Sequence, residues 1–334
     1  MSALRLPLDL LRGCAVAALG AAACCTVTHA ADAGRAYPDR PVRLIVPYPP
    51  GGGTDFVARA VARKLSESWG QQVVVDNRGG AGGVIGSEIA ARAAADGYTL
   101  LFGTAAGMVI NPLLNSKLSY DPVRDFAPVT QLVDNPQLLA VNNALAVHSV
   151  KELIALAKSE PAKLNYASAG PGTPNHLGME QFKMLTGTQL AHVPYKGAGP
   201  AITDLLGGQV QVMLNPISAL LPLTRSGKLR ALAVGSAQRS RAAPELPTVA
   251  EAGVPGFENV PWYAFFVPAK TPAEIVRKLN AETVRVLAEP DLVQLFTTQG
   301  TEPRGGTPEE LAAMMRAETE RTRQIIRAAG MKVE

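Results

Sequence analysis

Residues 44–55 read Leu-Ile-Val-Pro-Tyr-Pro-Pro-Gly-Gly-Gly-Thr-Asp, and residues 164–176 read Leu-Asn-Tyr-Ala-Ser-Ala-Gly-Pro-Gly-Thr-Pro-Asn-His. Each stretch opens on a strand-like run, passes through a loop of glycine and proline, and ends where a helical pattern begins. After the first, Val57, Val61 and Leu65 recur every four residues with Ala58 and Ala62 beside them, which is one apolar face of a helix. A strand, a small-residue loop and a helix start form the leading half of a βαβ unit, and the chain uses that device twice.

The same rhythm extends outward from both copies. Strands are expected over 42–46, 72–75 and 98–102, with a glycine-rich turn at 79–83 and an alanine-rich helix between them. In the second half, helices over 150–158 and 173–185 alternate with strands over 164–167, 189–193, 210–214 and 229–234. A further strand over 262–267 precedes three closing helices, the last turning Leu311, Met315, Ile325 and Ile326 inward. The expectation is an α/β fold with mainly parallel sheets covered by helices on both faces. A chain of 334 residues holds about two domains of this kind. Asn135-Pro136 interrupts the apolar stretch 129–141, and a proline-rich passage runs over 244–261. Both read as crossings between lobes. One lobe is then 31–136 plus 258–334 and the other 137–257, an arrangement suited to hinge closure on a ligand. A single division into consecutive halves is the alternative.

The first thirty residues read as an address rather than as structure. Arg5 and Arg12 precede a short apolar run over 13–28, which exits through small residues with cleavage points after Ala30 or Ala33. A cleaved export signal places the mature chain in an extracytoplasmic space. An uncleaved anchor is one alternative, and lipidation at Cys24, in a weak Ala21-Ala22-Ala23-Cys24 box, is another. All three cysteines, Cys14, Cys24 and Cys25, fall here, so disulfides, thiolate metal sites and cysteine nucleophiles are excluded from the mature chain. The net charge of +4 is spread thinly and only 5% of residues are aromatic, which argues against a nucleic-acid groove.

The two loops carry the chemistry. A helix start offers unpaired backbone N–H groups and the positive end of the helix dipole, so both loops suit an anion. Thr54 and Thr173 fall where N-cap hydroxyls would sit and either could donate to a carboxylate. Ligands of open α/β sheets bind at the carboxyl ends of strands, so loops from two lobes would face one another across a cleft. Ordinary βα turns, with glycine for backbone freedom and Thr or Asp as caps, remain the alternative. Enzyme motifs fail in detail. The first loop lacks the Gly-Lys-Ser/Thr of a P-loop, the 79–86 turn has Ile85 where a dinucleotide fingerprint needs glycine, and Tyr166 precedes Ser168 where a nucleophile elbow needs glycine. His148, His176 and His192 show no metal-ligand spacing. His176, in a first helical turn, suits an anion as a donor or braces its loop. Asp55 would repel a carboxylate and is expected to brace the first loop.

The stretch 37–43 (Tyr-Pro-Asp-Arg-Pro-Val-Arg) followed by YPPGGGTD at 48–55 resembles the Bug family of periplasmic receptors, the solute-binding components of tripartite tricarboxylate transporters. Further matches are DGYTLL at 96–101, Asn111-Pro112, YDPVRDFAPV at 120–129, SAGPGTPNHL at 168–177, VPYKG at 193–197, GKLRALAV at 227–234 and LPTVAEAG at 246–253. The resemblance implies a type II periplasmic-binding-protein fold, two α/β lobes joined by two crossing strands, without catalysis, cofactor or metal. It implies a monomer that takes a small organic carboxylate to the membrane subunits of such a transporter. The family's ligand positions fall on Tyr48, Gly52, Gly53, Thr54 and Asp55, and across the cleft on Ala169, Gly170, Gly172, Thr173 and His176. Thr104 adds a hydroxyl and Lys196 a residue at the rim. After the 210–214 strand the family commonly has aspartate, whereas this chain has Asn215. Asparagine can donate as well as accept, so it is expected to face a carbonyl, ring nitrogen or second carboxylate rather than an ammonium group. Two other functions stay open: a receptor that signals to a sensor protein, and a two-lobed enzyme holding a phosphate or cofactor on its glycine loop.

Overall fold

A computed structural model describes residues 37–331, so the expected leader and all three cysteines lie outside the described residues. The chain divides into Met1–Asp39 and Arg40–Glu334. Only 37–39 of the first part are described, and the architecture that follows is that of the second.

Among the described residues, eleven strands form two sheets. β1 (Val42–Val46), β2 (Val73–Asn77), β3 (Thr99–Thr104) and β4 (Phe126–Asp134) come first, followed by β5 (Gln137–Asn142), β6 (Asn165–Ser168), β7 (Ala191–Pro194), β8 (Val212–Pro216) and β9 (Leu229–Val234). β10 (Trp262–Pro268) and β11 (Glu302–Gly305) complete the set. The strand orders are β11-β4-β10-β3-β1-β2 and β7-β6-β8-β5-β9. With β11 set aside the two orders are one pattern: a trio with its first strand in the middle, then the strand that has just arrived from the other sheet, then a fourth strand outside it. The chain passes between sheets from β4 to β5 through Asn135 and Pro136, and returns from β9 to β10. This is the type II periplasmic-binding-protein fold, two α/β lobes each built on one sheet.

The sheets are mixed rather than mainly parallel. β1 runs parallel to β2 and β3, and β6 to β7 and β8, as helical crossovers require. The arriving strands break the pattern: β10 is antiparallel to β3 and β4, and β5 is antiparallel to β8 and β9. A strand that enters from the other sheet is not returned by a crossover, so nothing imposes the parallel direction on it. β11, which the sequence reading lacked, adds an antiparallel edge against β4.

Burial follows from the layering. Every residue of β5 is buried, as expected of a strand covered on both faces. Its alternation splits the apolar load. Leu139 and Val141 join Leu153, Met179 and Phe182 on one side, and Leu138 and Ala140 join Leu205, Met213 and Leu220 on the other. The helix Gly53–Trp69 buries Val57, Ala58, Val61, Ala62 and Leu65, the face its spacing predicts. The last helix, Pro308–Ala328, is started by a capping box between Thr307 and Glu310 and buries Leu311, Met315, Ile325 and Ile326. After β3 the chain makes a π-helical turn, Ala106–Ile110, that periodicity did not reveal. Among the described residues no helix is long and apolar enough to cross a membrane.

Candidate functional site

Four strands, β1, β3, β6 and β8, end at one cavity of about 370 Å³ between the two sheets. Tyr48 reaches it from the loop after β1, Thr54 from the first turn of the helix that follows, and Thr104 from the end of β3. Ala169, Gly172 and Thr173 come from the loop after β6, and Asn215 from β8. These seven predicted residues line a common space. Gly52, Gly53, Asp55, Gly170 and His176 are not in its wall, and Lys196 is an exposed residue outside it.

The first loop is held from behind by Asp55. Its carboxylate accepts from the Gly51 amide at 3.0 Å, Arg59 Nε at 2.9 Å and Asn77 Nδ2 at 3.0 Å. Burial pushes its pKa up, but the hydrogen bonds from Arg59, Gly51 and Asn77 outweigh that and hold it below the ordinary carboxylate value. The expectation of a bracing role fits this geometry. The N-cap of the following helix is Gly52, not Thr54, which lies in the first turn. Glycine has no side chain to cap with, and the amides of Gly53, Thr54 and Asp55 have no intrahelical acceptor.

The second loop differs. Thr173 is the N-cap of the helix Pro174–Thr186, yet its hydroxyl donates to the Gly170 carbonyl at 2.6 Å instead of capping. Its proton is therefore committed, and it offers the cavity acceptor lone pairs only, contrary to the expected donor role. Pro174 has no N–H, which leaves the first-turn amides of Asn175 and His176. His176 does not donate to the cavity. Its Nδ1 accepts from the Gly172 amide at 3.1 Å, and its ring stacks on His192 at 4.0 Å between centroids. His192 Nε2 lies 2.6 Å from Ser168 Oγ, and its ring also stacks on Tyr166 at 4.9 Å between centroids. Burial lowers the pKa of both histidines, His192 to about 4, so both rings are neutral near pH 7.

Between the loops, Tyr48 Oη and Thr104 Oγ1 are 2.9 Å apart, and Thr104 Oγ1 also accepts from the Gly107 amide. Two hydroxyl protons serve a single shared contact, so one of them is left for a guest. Burial raises the Tyr48 pKa and keeps it a phenol.

Sequence reasoning missed the part of the wall built from the crossings. Asn135 lies in the first passage and Gln137 directly follows it, Pro261, Trp262 and Tyr263 end the second, and Asn111 and Asn175 add amides. Asn135-Pro136 was visible as an interruption, but an interruption says only that the chain turns. Among the described residues, no acidic or basic side chain lines the cavity. Three buried amide atoms of its lining residues, Asn135 Oδ1, Gln137 Oε1 and Asn215 Nδ2, have no hydrogen-bond partner.

A strand order used twice, two crossings and a cavity at the carboxyl ends of four strands define a bilobal solute-binding receptor. Residues 57–331 match the family model "Tripartite tricarboxylate transporter family receptor", and the chain belongs to that family, the TctC/Bug type of periplasmic solute-binding receptors. It is 41% identical to Protein BugT of Bordetella pertussis over 299 residues, 89% of this chain and 92% of that one. Among solved structures it is similar to Rpa4515 of R. palustris with adipate, with TM-score 0.79 and 39% identity over 88% of this chain and 98% of that one. It is also similar to MatC (Rpa3494) of Rhodopseudomonas palustris with bound malate, with TM-score 0.74 and 33% identity, covering 87% and 100%. The family and these neighbours are solute-binding receptors, not enzymes.

Proposed function

We propose that this chain is exported to the periplasm, captures a small organic carboxylate between its lobes and delivers it to the membrane subunits of a tripartite tricarboxylate-type transporter. The lobes are 31–136 plus 258–334 and 137–257, and the crossings at 135–136 and 235–261 act as the hinge. The observation that carries the reading is a cavity lined, among the described residues, by no charged side chain and flanked by two helix starts whose first-turn amides lack intrahelical acceptors. Neutral donors and helix dipoles stabilise an anion without the tight grip of an ion pair, which suits a receptor that must release its cargo. Related structures with adipate and with malate support a carboxylate. In this reading Thr54, the Tyr48–Thr104 hydroxyl pair and the amides of both loops hold the carboxylate, with Asp55 and His176 behind them.

The test begins with native mass spectrometry of the purified protein for a co-purified acid. Thermal-shift screening against mono-, di- and aromatic carboxylates follows, because a ligand of the folded state raises the melting temperature. A co-purified acid or a saturable shift is expected. Thr54→Ala removes a hydrogen bond to a charged group and should cost about 1.5–3 kcal/mol of binding. Unchanged affinity, or no carboxylate bound at all, would count against the site. Deletion of the gene should abolish uptake of that acid.

A further inference from the structure

We infer that Tyr263 and Asn135, one at each crossing, form a donor pair that takes the carboxylate of the guest and thereby joins the guest to the hinge. The inference rests on the carboxylate reading above and adds two binding residues to it.

The two crossings run side by side. The Asn135 amide donates to the Pro261 carbonyl at 2.7 Å, the Gly235 amide to the Gln137 carbonyl at 2.7 Å, and the Asn259 amide to the Gly235 carbonyl at 2.8 Å. A side-chain contact joins the same two segments, with Asn135 Nδ2 and Tyr263 Oη 3.3 Å apart. Both residues line the cavity. The Tyr263 ring packs on Phe102 at 5.1 Å between centroids. Its hydroxyl lies at the start of the helix Gly53–Trp69, where a Cβ on Gly53 would stand 3.9 Å from it. Thr54, the next residue, lines the same cavity.

The pair holds more protons than the protein accepts. Two sit on the Asn135 amide nitrogen and one on the Tyr263 hydroxyl. The contact between the side chains uses one of the three whichever way the amide is turned, and no other described residue accepts from either side chain. Burial pushes the Tyr263 pKa up to about 12, so the hydroxyl keeps its proton near pH 7. Asn135 is buried, and a buried donor without an acceptor has lost its hydration and gained nothing in return. A guest that accepts hydrogen bonds removes that cost.

A carboxylate suits the place because its two oxygens accept several hydrogen bonds at once. Seated at the start of the helix Gly53–Trp69, it meets the first-turn amides, the Thr54 hydroxyl and this pair together. The pair also gives the contact a second consequence. From the guest, one hydrogen bond leads to Tyr263 beyond the second crossing and the next to Asn135 in the first, whose backbone is bonded back to Pro261. Binding is therefore felt in the segments about which the lobes turn, and not only in the two glycine loops.

The experiment uses the full mature chain and titration calorimetry with the tightest-binding of acetate, succinate, glutarate, adipate and benzoate. Tyr263→Phe keeps the ring on Phe102 and removes the phenol proton. It is expected to weaken that acid at least about tenfold, as the loss of a hydrogen bond to a charged group implies. Asn135→Asp keeps an acceptor for Tyr263, so loosening of the site alone would spare it. Here its carboxylate takes the Tyr263 proton and repels the guest, and binding should fall at least as far. Hydrogen exchange followed by mass spectrometry reads the hinge. The bound acid should slow exchange over 133–137 and 259–263 in the wild type, and slow it less in Tyr263→Phe at equal occupancy. A smaller loss of affinity in either variant would mean that water takes these protons, and would overturn the inference while leaving the carboxylate receptor standing. Equal protection at equal occupancy would overturn it in the same way. Failure of every acid to bind the wild type would sink the carboxylate reading itself, and this inference with it.

Discussion

The Gly172 amide donates to Nδ1 of His176 at 3.1 Å, so the second glycine loop is stapled to the first turn of its own helix. Gly172 holds φ at +71°, a conformation that glycine adopts freely, and the contact fixes the His176 proton on Nε2. His176 shapes the cavity by positioning the loop that lines it. His176→Leu keeps the ring's approximate bulk and removes the acceptor, leaving a part-buried amide unpaired at a cost of about 1–3 kcal/mol in stability. Urea unfolding should show that loss, and calorimetry should show weaker carboxylate binding although the residue is outside the cavity wall. Normal values for both would mean that the staple is incidental.

Acid should destabilise the second lobe through its stacked histidines. His192 has a pKa near 4 in the folded chain against an ordinary value of about 6.5, lowered first by burial and then by the neighbouring His176. Below pH 6.5 the unfolded chain takes up a proton that the folded chain refuses, so stability present above pH 6.5 is lost as pH falls towards 4. His176 shifts in the same direction, also from burial. Glu180 opposes the effect and Lys183 assists it. Because the ring is half solvated, the expected loss is on the order of 1 kcal/mol. Urea midpoints at pH 7.5, 6 and 5 should converge for the wild type and His192→Gln as pH falls, since the variant lacks this titration. Parallel curves at all three values would exclude the mechanism.

Helical glycines separate close approach from idle freedom. A Cβ on Gly86, in the helix Val84–Ala91, would lie 2.7 Å from both the Arg78 carbonyl oxygen and Pro47 Cα. Both are backbone atoms and neither can move aside alone. Gly86→Ala should therefore cost about 1–3 kcal/mol by overpacking. Gly199, in the helix Ala198–Leu206, has nothing within 4 Å of the same position, and Gly199→Ala should be neutral or stabilising by up to about 1 kcal/mol. Denaturation midpoints that moved the same way for both variants would refute the distinction.

Gly86 also shows why some of this molecule was legible in its sequence and some was not. The 79–86 turn resembles a dinucleotide loop because both need a helix pressed against a strand, and one sequence cannot tell that packing from phosphate contact. Helix faces such as Val57, Val61 and Leu65 were legible because periodicity is local. The direction of β5 and β10 was not, because it depends on which sheet a strand joins after a crossing. The same limit hid half of the site. Tyr48, Thr54 and Thr173 stand in a loop pattern, whereas Asn135, Gln137 and Tyr263 reach the cavity from strand ends whose alternation resembles ordinary core. Thr173 was placed correctly as an N-cap, but the loss of its proton to Gly170 is set by a turn that sequence does not specify.

Asp55 offers the sharpest contrast between charge and geometry. From charge alone, removing a carboxylate beside an anion site should strengthen binding. The structure favours the opposite result. The Asp55 charge is already countered by Arg59 Nε at 2.9 Å, so its removal relieves little repulsion at the cavity. The same carboxylate holds the Gly51 amide and Asn77, and Asn77 Nδ2 also donates to the Tyr48 carbonyl at 3.1 Å. Asp55→Ala thus releases the glycine loop and the Tyr48 backbone together, and leaves Arg59 without its acidic partner. Binding of the cognate carboxylate should weaken by about 1.5–3 kcal/mol, the usual worth of a hydrogen bond to a charged group. Asp55→Asn keeps an acceptor for Gly51 and should fall between the wild type and the alanine variant. Affinity that rose in the alanine variant, measured by calorimetry at two ionic strengths, would show that Asp55 acts on the guest as a charge and not on the loop as a brace.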